Sequence, residues 1–585
     1  MSDNSLQTSA KGSRLRSLAP YIFAVILGTT ALFLFRWGFV CPGFEADPDC
    51  FYHAKIVEQG PSTFLARKFP PLSQTTWAEH FSDKELGFHL ILWAVTKIGA
   101  ALGADNTFPF HYQVIFFDFL LLLAFNFLLW RQQLKHPWIY TLLLVNVLPI
   151  MTYRLLFLRA YLLSMAISTI VLAAFLEKSF YTNRHRWWFL LLIGVIISWS
   201  YSSPHLILLT AMPFAIAEAI AVKRWKPLLL TPACLLGGII LGMIIHPQFP
   251  NTFLMFKIQC IDVVLAFFFN FEPMPIRGGQ EFYVRTWHLA WLYGGGYYLP
   301  LAGSLLALFL LRRRQGRLPF ARQNFRLNGL LILTCIAYFA SLFVFRVAEY
   351  ALVPTALFLA VLASLLDQTA DSPSSLLDAA PVSAPTTTTD SDSTAAPSAA
   401  FALPWGTIGA AVVSIVCLLV NCWQATQMPP QGFGNVPCYG VAKWAEDNKL
   451  PPGTAIANLS WGDFPMLYYA MPQYRFMYGI DPTFCWKYNP KALLSVAAIQ
   501  QLPKDKMFTP RHFADLMCAR YLHIPSRYRE SAEKLWECGF VQVYDDWDGV
   551  IFDLYQPRRP ITPQTPRLSN LQKIALQQNL QSENR

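Results

Sequence analysis

Three carboxylates follow the first apolar segment of the chain, within the stretch FEADPDCFYHAKI. They are Glu45, Asp47 and Asp49. Because Pro48 favours an extended backbone before it, Asp47 and Asp49 are expected on an extended segment with both side chains facing one cavity. There they would bind a divalent cation through hard oxygen ligands or act as a base, whereas Glu45 is expected to be solvated. The alternative is an acidic, solvated loop without a chemical role.

Two polar aromatic residues, Tyr52 and His53, follow the last acid after Cys50 and Phe51. They could wall the same cavity, and His53 could supply a second polar group that titrates near neutral pH. A lone histidine is more often a hydrogen-bonded structural residue, so both interpretations stay open. His205, in the turn WSYSSPHL, is either another pocket residue or an anchor at the membrane interface.

Arginines are expected to lie at the outer ends of three apolar segments, against the usual bias of basic residues toward the cytoplasm. They are Arg154, Arg159 and Arg346. A guanidinium presents a planar fork of donors that suits a phosphate or pyrophosphate, which makes these residues candidates for binding a donor phosphate. Alternatively, Arg154 or Arg159 reaches the lipid headgroups, and Arg346 forms a structural ion pair with Glu349.

A second group of candidates lies near the C-terminus, in the stretch NLSWGDFPMLYY. Trp461, Gly462, Asp463 and Phe464 follow a predicted strand, which is a usual position for a binding loop. These residues are candidates for binding an acceptor. Ordinary packing of a strand and a turn would explain the same aromatic residues.

The composition indicates a membrane protein. Hydrophobic residues make up 54% of the chain and charged residues 14%, against about 25% charged in soluble domains. The net charge of +11 comes from short basic blocks between apolar runs, so it orients helices and does not indicate a nucleic-acid partner. The eleven cysteines form no CxxC pair, which argues against a zinc site or a thioredoxin-like motif built on cysteine.

Apolar runs long enough to cross a membrane recur along the first 425 residues, and we count about eleven. They lie at about 21–40, 111–130, 138–155, 162–176, 187–202, 206–222, 227–245, 288–311, 327–345, 350–366 and 405–424. With the N-terminus in the cytoplasm, four basic loops fall on the cytoplasmic side, as the positive-inside rule requires. The shorter run 86–103 is expected to lie along the outer membrane interface.

This topology predicts a mainly α-helical, polytopic transmembrane bundle followed by a soluble α/β domain. The bundle is expected over residues 1–424, with a first outer loop at 41–110 and a flexible, low-complexity cytoplasmic linker at 367–404. Residues 425–585 are expected to form the α/β domain on the outer side, because short alternating strands and amphipathic helices replace the apolar runs.

The arrangement resembles the GT-C class of membrane glycosyltransferases and, within it, the catalytic subunit of bacterial oligosaccharyltransferases. The resemblance rests on the DPD-FYH motif in the first outer loop, the turn WSYSSPH, an outer arginine near a late span, and an outer C-terminal domain. SWGDF lies where that family has its WWDYG motif.

The resemblance implies transfer of a sugar or oligosaccharide from a polyprenyl-phosphate- or pyrophosphate-linked donor to an acceptor. Asp47 or Asp49 would match the first-loop acid that binds a divalent metal and activates the acceptor, and Arg346 would match the arginine that binds the lipid phosphate. Trp461, Gly462, Asp463 and Phe464 would match part of the acceptor-recognition motif.

The chain departs from the family in its second outer turn, YRLLFLRAYLLS, which carries no acid, and it has no clear counterpart of the family's later glutamate. Both a divalent cation such as Mg²⁺ or Mn²⁺ and an unassisted aspartate base therefore stay open. The acceptor could be a protein, a lipid or a polysaccharide. The expected location is the bacterial inner membrane, with the C-terminal domain in the periplasm.

Two other classes of function are compatible with the same residues. A transporter or flippase of an envelope lipid would use the acids and arginines as gates, although transporters usually place charges near the membrane midplane. A non-catalytic envelope-assembly protein would tolerate replacement of Asp47 and Asp49.

Overall fold

A computed structural model describes eleven stretches of the chain. They are residues 3–40, 45–104, 110–147, 149–272, 274–276, 287–316, 318–343, 345–368, 404–427, 438–501 and 509–558. The predicted linker at 367–404 lies almost entirely outside them.

The described part of the first 427 residues is helical. Its helices are α1 (Asp3–Phe39), α2 (Asp49–Gln59), α3 (Pro61–Phe64), α4 (Leu86–Ala101), α5 (His111–Arg131), α6 (Pro137–Asn146), α7 (Pro149–Leu155), α8 (Ala160–Leu176), α9 (Lys178–Thr182), α10 (Arg186–Ser200), α11 (Ile207–Val222), α12 (Lys226–Ile245), α13 (Asn251–Phe256), α14 (Val263–Phe269), α15 (Trp287–Gln315), α16 (Phe325–Phe343), α17 (Phe345–Asp367) and α18 (Trp405–Gln427). A six-residue π-helical stretch, Lys257–Asp262, joins α13 to α14.

Each apolar run in the predicted topology is mainly helical where the structure describes it. By length and composition, six of the described helical segments could cross a membrane. They are Leu18–Phe39, His111–Arg131, Pro204–Val222, Lys226–Ile245, Val347–Asp367 and Trp405–Trp423. The chain is therefore mainly helical with several candidate spans, and the count of about eleven remains a prediction.

The predicted run at 138–155 is not one continuous helix. The structure divides it into α6 and α7, and Pro149 begins the second helix. Proline is tolerated in a first helical turn but removes a hydrogen bond from a helix interior, which favours a division here. Oγ of Thr152 donates to the carbonyl of Val145 at 2.7 Å and ties the two helices together across the joint.

Small residues allow two of the bundle helices, α10 and α12, to approach closely. A Cβ atom added to Gly238 would lie 2.1 Å from the carbonyl oxygen of Leu191, and one added to Gly194 would lie 2.3 Å from that of Leu235. These glycines therefore set the backbone separation, as small residues commonly do between membrane helices. At the centre of the bundle lies α17, in which 94% of an apolar 18-residue stretch is buried.

The C-terminal region folds as an α/β unit. Its elements are α19 (Tyr439–Asp447), β1 (Ala455–Asn458), α20 (Phe464–Ala470), β2 (Arg475–Phe476), α21 (Pro482–Tyr488), α22 (Pro490–Gln500), α23 (Pro510–Met517), β3 (Tyr521–Pro525), α24 (Arg529–Glu537), β4 (Val541–Asp545) and β5 (Gly549–Asp553). The sheet order is β2-β1-β3-β5-β4, with parallel pairing on one side of β3 and antiparallel pairing on the other. The five strands lie within the segments GTAIANLS, RFMYGID, ARYLHIP, FVQVYDD and GVIFDLY, whose sequences predict strands.

The loop between α1 and α5, here called the first loop, joins this sheet. Leu72 forms a parallel bridge with Phe476 at the edge of β2. The amide of Phe476 donates to the carbonyl of Pro71 at 2.7 Å, and the amide of Ser73 donates to the carbonyl of Phe476 at 2.8 Å. The first loop and the C-terminal unit thus share a hydrogen-bonded edge, although Ser73 and Phe476 are 403 positions apart in the sequence.

Candidate functional site

Arg159 brings together the two aspartates of the DPD motif. Its Nε and Nη2 atoms donate to the two carboxylate oxygens of Asp47 at 2.5 and 2.7 Å, and Nη1 lies 2.9 Å from an oxygen of Asp49. Asp47 precedes α2, and Asp49 is the first residue of that helix. Arg159 is the residue immediately before α8. Two elements that are distant in sequence therefore meet at one guanidinium.

The backbone around Pro48 differs from the extended segment predicted from the sequence. Pro48 has helical angles, with φ −66° and ψ −28°, and it is the N-cap of α2. Asp49 therefore lies in the first helical turn, where the positive end of the helix dipole favours a carboxylate. The two side chains still reach one site, because Arg159 approaches both.

Solvent access distinguishes the three charged groups. The side chain of Asp47 is 4% exposed, that of Asp49 is 16% exposed and that of Arg159 is 23% exposed. Asp47 is therefore the buried partner of Arg159, while the side chains of Asp49 and Arg159 are partly exposed to solvent.

A divalent cation held by Asp47 and Asp49 would compete with Arg159 for the same carboxylate oxygens. A cation would need their oxygens as ligands. Here the guanidinium of Arg159 already contacts both oxygens of Asp47 and one of Asp49. Metal ligation by these two aspartates stays a prediction, and the chemistry below does not use a metal at that position.

A second buried ion pair lies close to the first. Nη2 of Arg154 donates to Oε1 of Glu349, and both side chains are buried. The guanidinium groups of Arg154 and Arg159 lie 5.5 and 6.0 Å from the ring centroid of Phe157, so this ring lies beside both. Arg154 thus points into the protein, and Glu349 has Arg154 as an ion-pair partner. The structure does not describe the side chain of Arg346.

Glu45, expected to be solvated, is buried. It accepts a hydrogen bond from Nη2 of Arg36 at 2.8 Å and another from the amide of Phe110 at 2.6 Å. Burial raises the pKa of Glu45, while Arg36 acts in the opposite direction. The prediction of a solvated Glu45 is wrong because its partner, Arg36, lies before the acidic stretch, in α1. The sequence predicts α1 as an apolar span and gives no sign of this pairing.

His53 belongs to a buried polar cluster. Its Nδ1 lies 2.9 Å from Nε2 of His89, and the other nitrogen of His89, Nδ1, lies 2.7 Å from Asp83. Nε2 of His53 lies 3.9 Å from Glu85. Burial lowers the pKa of His53 well below its usual value. The sequence interpretation missed Asp83, Glu85 and His89, although Glu85 and His89 have the i, i+4 spacing that places residues on one helix face.

Tyr52 lies in the aromatic contact between the first loop and the C-terminal unit. Its ring centroid is 6.3 Å from that of Phe464, which stacks on Tyr468 at 5.4 Å. The hydroxyl of Tyr468 donates to Oε1 of Gln59 at 2.5 Å, at the end of α2. The WGDF segment therefore packs against the helix that begins at Asp49.

Within the WGDF segment, Asp463 and Phe464 are buried, whereas Trp461 and Gly462 are half-buried. Asp463 pairs with Arg527, and burial raises the pKa of Asp463 to about 6, with Arg527 acting in the opposite direction. Contact with an acceptor remains a prediction for all four residues, and the exposed fraction favours Trp461 and Gly462.

His205 occupies a short 3-10 turn, Pro204–Leu206, and is half-buried. Its ring centroid lies 6.2 Å from that of Phe256, just before the π-helical stretch. A role in a pocket therefore remains a prediction for His205.

The sequence interpretation also passed over Asp118, which lies inside α5. Its side chain is fully buried, and neither carboxylate oxygen has a hydrogen-bond partner among the described residues. The signal was visible as a single acid within the apolar run HYQVIFFDFLLLL. An ionisable residue within a membrane helix is a candidate functional residue by default.

No protein-family model matches the sequence, and no curated protein matches it. Among solved structures, the chain is similar to the cryo-EM structure of the arabinofuranosyltransferase AftD from Mycobacteria, with 12% identity and a TM-score of 0.48. The match covers 93% of this chain and 40% of that one, so this chain spans two fifths of the length of its structural neighbour. A similarity of this size carries no inference about activity.

Proposed function

We propose that this protein is a membrane glycosyltransferase of the GT-C class. It transfers a sugar or oligosaccharide from a polyprenyl-phosphate- or pyrophosphate-linked donor to a protein, lipid or polysaccharide acceptor at the outer face of the membrane. The observation that carries the proposal is the contact of Arg159 with Asp47 and Asp49 at the junction of the first loop and the helical bundle.

Displacement at a sugar carbon linked to phosphate needs two groups. A base removes a proton from the acceptor, and a cation stabilises the negative charge that develops on the leaving phosphate. We assign the first role to Asp49 and the second to Arg159. Asp47 is a positioning residue, because it is buried and holds the guanidinium through two hydrogen bonds.

The two edges of the guanidinium suggest how a donor would enter. Asp47 contacts the edge formed by Nε and Nη2, and Asp49 contacts Nη1. A donor phosphate that replaces Asp49 at Nη1 would leave the Asp47 contact intact. It would also release the Asp49 carboxylate, at the more exposed side of the site, to accept the proton of the acceptor.

The test is transfer of labelled sugar from polyprenyl-phosphate donors by the purified full chain, comparing wild type with Asp49→Asn. Loss of a general base typically lowers the rate by about 10²- to 10⁴-fold. We expect a fall of that size in kcat. The matched control is Glu58→Gln, which removes an exposed acid from the same helix, α2, and should leave transfer unchanged.

Wild-type transfer by a correctly folded Asp49→Asn protein would overturn the assignment of the base. If no polyprenyl-linked donor supports transfer by the wild type, the glycosyltransferase proposal fails. Movement of labelled lipid across vesicles containing the protein would then favour the flippase alternative.

A further inference from the structure

The cluster around His53 contains three groups whose ligand atoms converge. One ligand atom each from His53, Glu85 and His89 can be chosen so that all three lie within 4.8 Å of one another. All three side chains are buried, and they come from two helical segments: His53 from α2, and Glu85 and His89 from the start of α4. Among the described residues, this is the one group of three with such geometry.

The types of the three residues fit a transition-metal cation. Two imidazoles and one carboxylate form a common three-ligand set for zinc, with bonds of about 2.0–2.2 Å. The facing nitrogens of His53 and His89 are 2.9 Å apart, and ligands of a tetrahedral zinc ion lie roughly 3.3 Å apart, so the two rings would have to move slightly apart to bind the ion.

The neighbouring residues fix the orientation of His89. Asp83 lies 2.7 Å from Nδ1 of His89, which leaves Nε2 facing His53. The amide of Glu85 donates to the other oxygen of Asp83 at 3.0 Å, and the amide of Asp83 donates to Gln248 at 2.6 Å. A carboxylate behind a metal-binding histidine commonly sets its tautomer and ring position.

We propose that His53, Glu85 and His89 bind a zinc ion, with Asp83 as the positioning residue of His89. The absence of CxxC pairs excludes only a site built on cysteine, and this one uses none. The inference goes beyond the proposed glycosyl transfer and does not rest on it, because metal binding can be measured without a substrate.

The ion would connect two segments of the first loop, α2 and the start of α4. His53 follows Asp49 by four residues in α2, so the two lie on one face of this helix, one turn apart. Joining His53 to α4 through zinc would hold the start of α2, and with it Asp49, against α4.

The test uses the full chain purified in detergent with an affinity tag that contains no histidine. After incubation with Zn²⁺ and removal of excess metal, elemental analysis should give one zinc per chain. Replacement with Co²⁺ should give the visible absorption of a tetrahedral site. His53→Gln, Glu85→Gln and His89→Gln should each lose the bound metal, and Asp83→Asn should weaken binding by about 10- to 100-fold.

Two controls separate this site from other sources of metal. His205→Gln removes a half-buried histidine outside the cluster and should keep the wild-type zinc content. The double variant Asp47→Asn, Asp49→Asn should also keep it. A wild-type protein that retains no zinc, or ligand variants that retain it, would overturn the proposal and leave a hydrogen-bonded His–His–Asp chain. Loss of zinc in the Asp47/Asp49 variant alone would place the metal at those aspartates.

Discussion

Arg159 holds Asp47 through two parallel hydrogen bonds, from Nε at 2.5 Å and from Nη2 at 2.7 Å. This fork geometry is available to arginine and not to lysine, whose ammonium group is a single point of charge. The position of the positive charge relative to Asp49 therefore depends on the shape of the guanidinium as well as on its charge.

The first prediction concerns Arg159→Lys. The variant keeps a positive charge but loses the two-point contact with Asp47, so the charge would no longer be held where we propose that the donor phosphate binds. We expect kcat/KM for the donor to fall by at least about tenfold, which corresponds to about 1.4 kcal/mol. Steady-state transfer at varied donor concentration measures it.

The matched control for that prediction is Arg186→Lys. Arg186 forms another partly buried pair, with Glu218 at 2.9 Å, between α10 and α11. It should change stability without changing donor kinetics. Equal kinetic losses in the two variants would show that the Arg159 effect is structural.

The second prediction concerns the buried pair of Arg36 and Glu45. Glu45→Gln keeps an oxygen for the amide of Phe110 but leaves the charge of Arg36 buried without its counter-ion. Breaking a buried ion pair from one side typically costs about 3–5 kcal/mol. We expect a marked fall in the thermal unfolding temperature in detergent, measured by intrinsic fluorescence.

The double variant Arg36→Met, Glu45→Gln tests the reason for that loss. It removes both charges, so it should recover much of the stability lost in Glu45→Gln. If the double variant is less stable than the single one, the destabilisation does not come from an unpaired arginine.

The sequence predicted the elements better than the contacts. Long apolar runs and alternating strands identify helices and strands because these patterns are local. The pairing of Asp47 with Arg159 spans 112 positions and depends on how α2 meets α8. Likewise, the sequence predicts a solvated Glu45 because its partner, Arg36, is in an apolar helix. It also predicts that α4 lies along the membrane interface, although the first turn of α4 carries buried ligand candidates.

The third prediction concerns contact between the first loop and the C-terminal unit. Phe464→Ala removes a ring that contacts both Tyr52 and Tyr468. Such a change in a packed core costs about 3–5 kcal/mol. Since the lost contact is with α2, hydrogen exchange of the α2 amides should accelerate, as measured by mass spectrometry of the full chain.

Phe513→Ala provides the comparison, because Phe513 is also buried but packs against Phe540 inside the C-terminal unit. It should accelerate exchange within that unit and leave the α2 amides protected. Unchanged α2 exchange in Phe464→Ala would contradict the proposed contact.

The fourth prediction concerns His523, which is buried in β3 and has no hydrogen-bond partner for either ring nitrogen among the described residues. Burial lowers the pKa of His523 to about 3, and Arg527 acts in the same direction. An unfolded chain would protonate this histidine near pH 6.5, so the unfolded state binds more protons between about pH 6.5 and 3. The stability that the neutral ring contributes is present above pH 6.5 and is lost as the pH falls, by about 1.4 kcal/mol per pH unit at most.

His523→Met removes the titrating group while keeping an apolar side chain that fits irregular gaps. The unfolding temperature of the full chain in detergent should therefore fall less steeply in the variant than in wild type as the pH is lowered from 7.5 to 5. Comparing the two proteins matters because Asp463, whose pKa burial raises to about 6, contributes in the opposite direction in both and cancels in the difference. Parallel pH profiles would mean that His523 is not held neutral in the folded sheet.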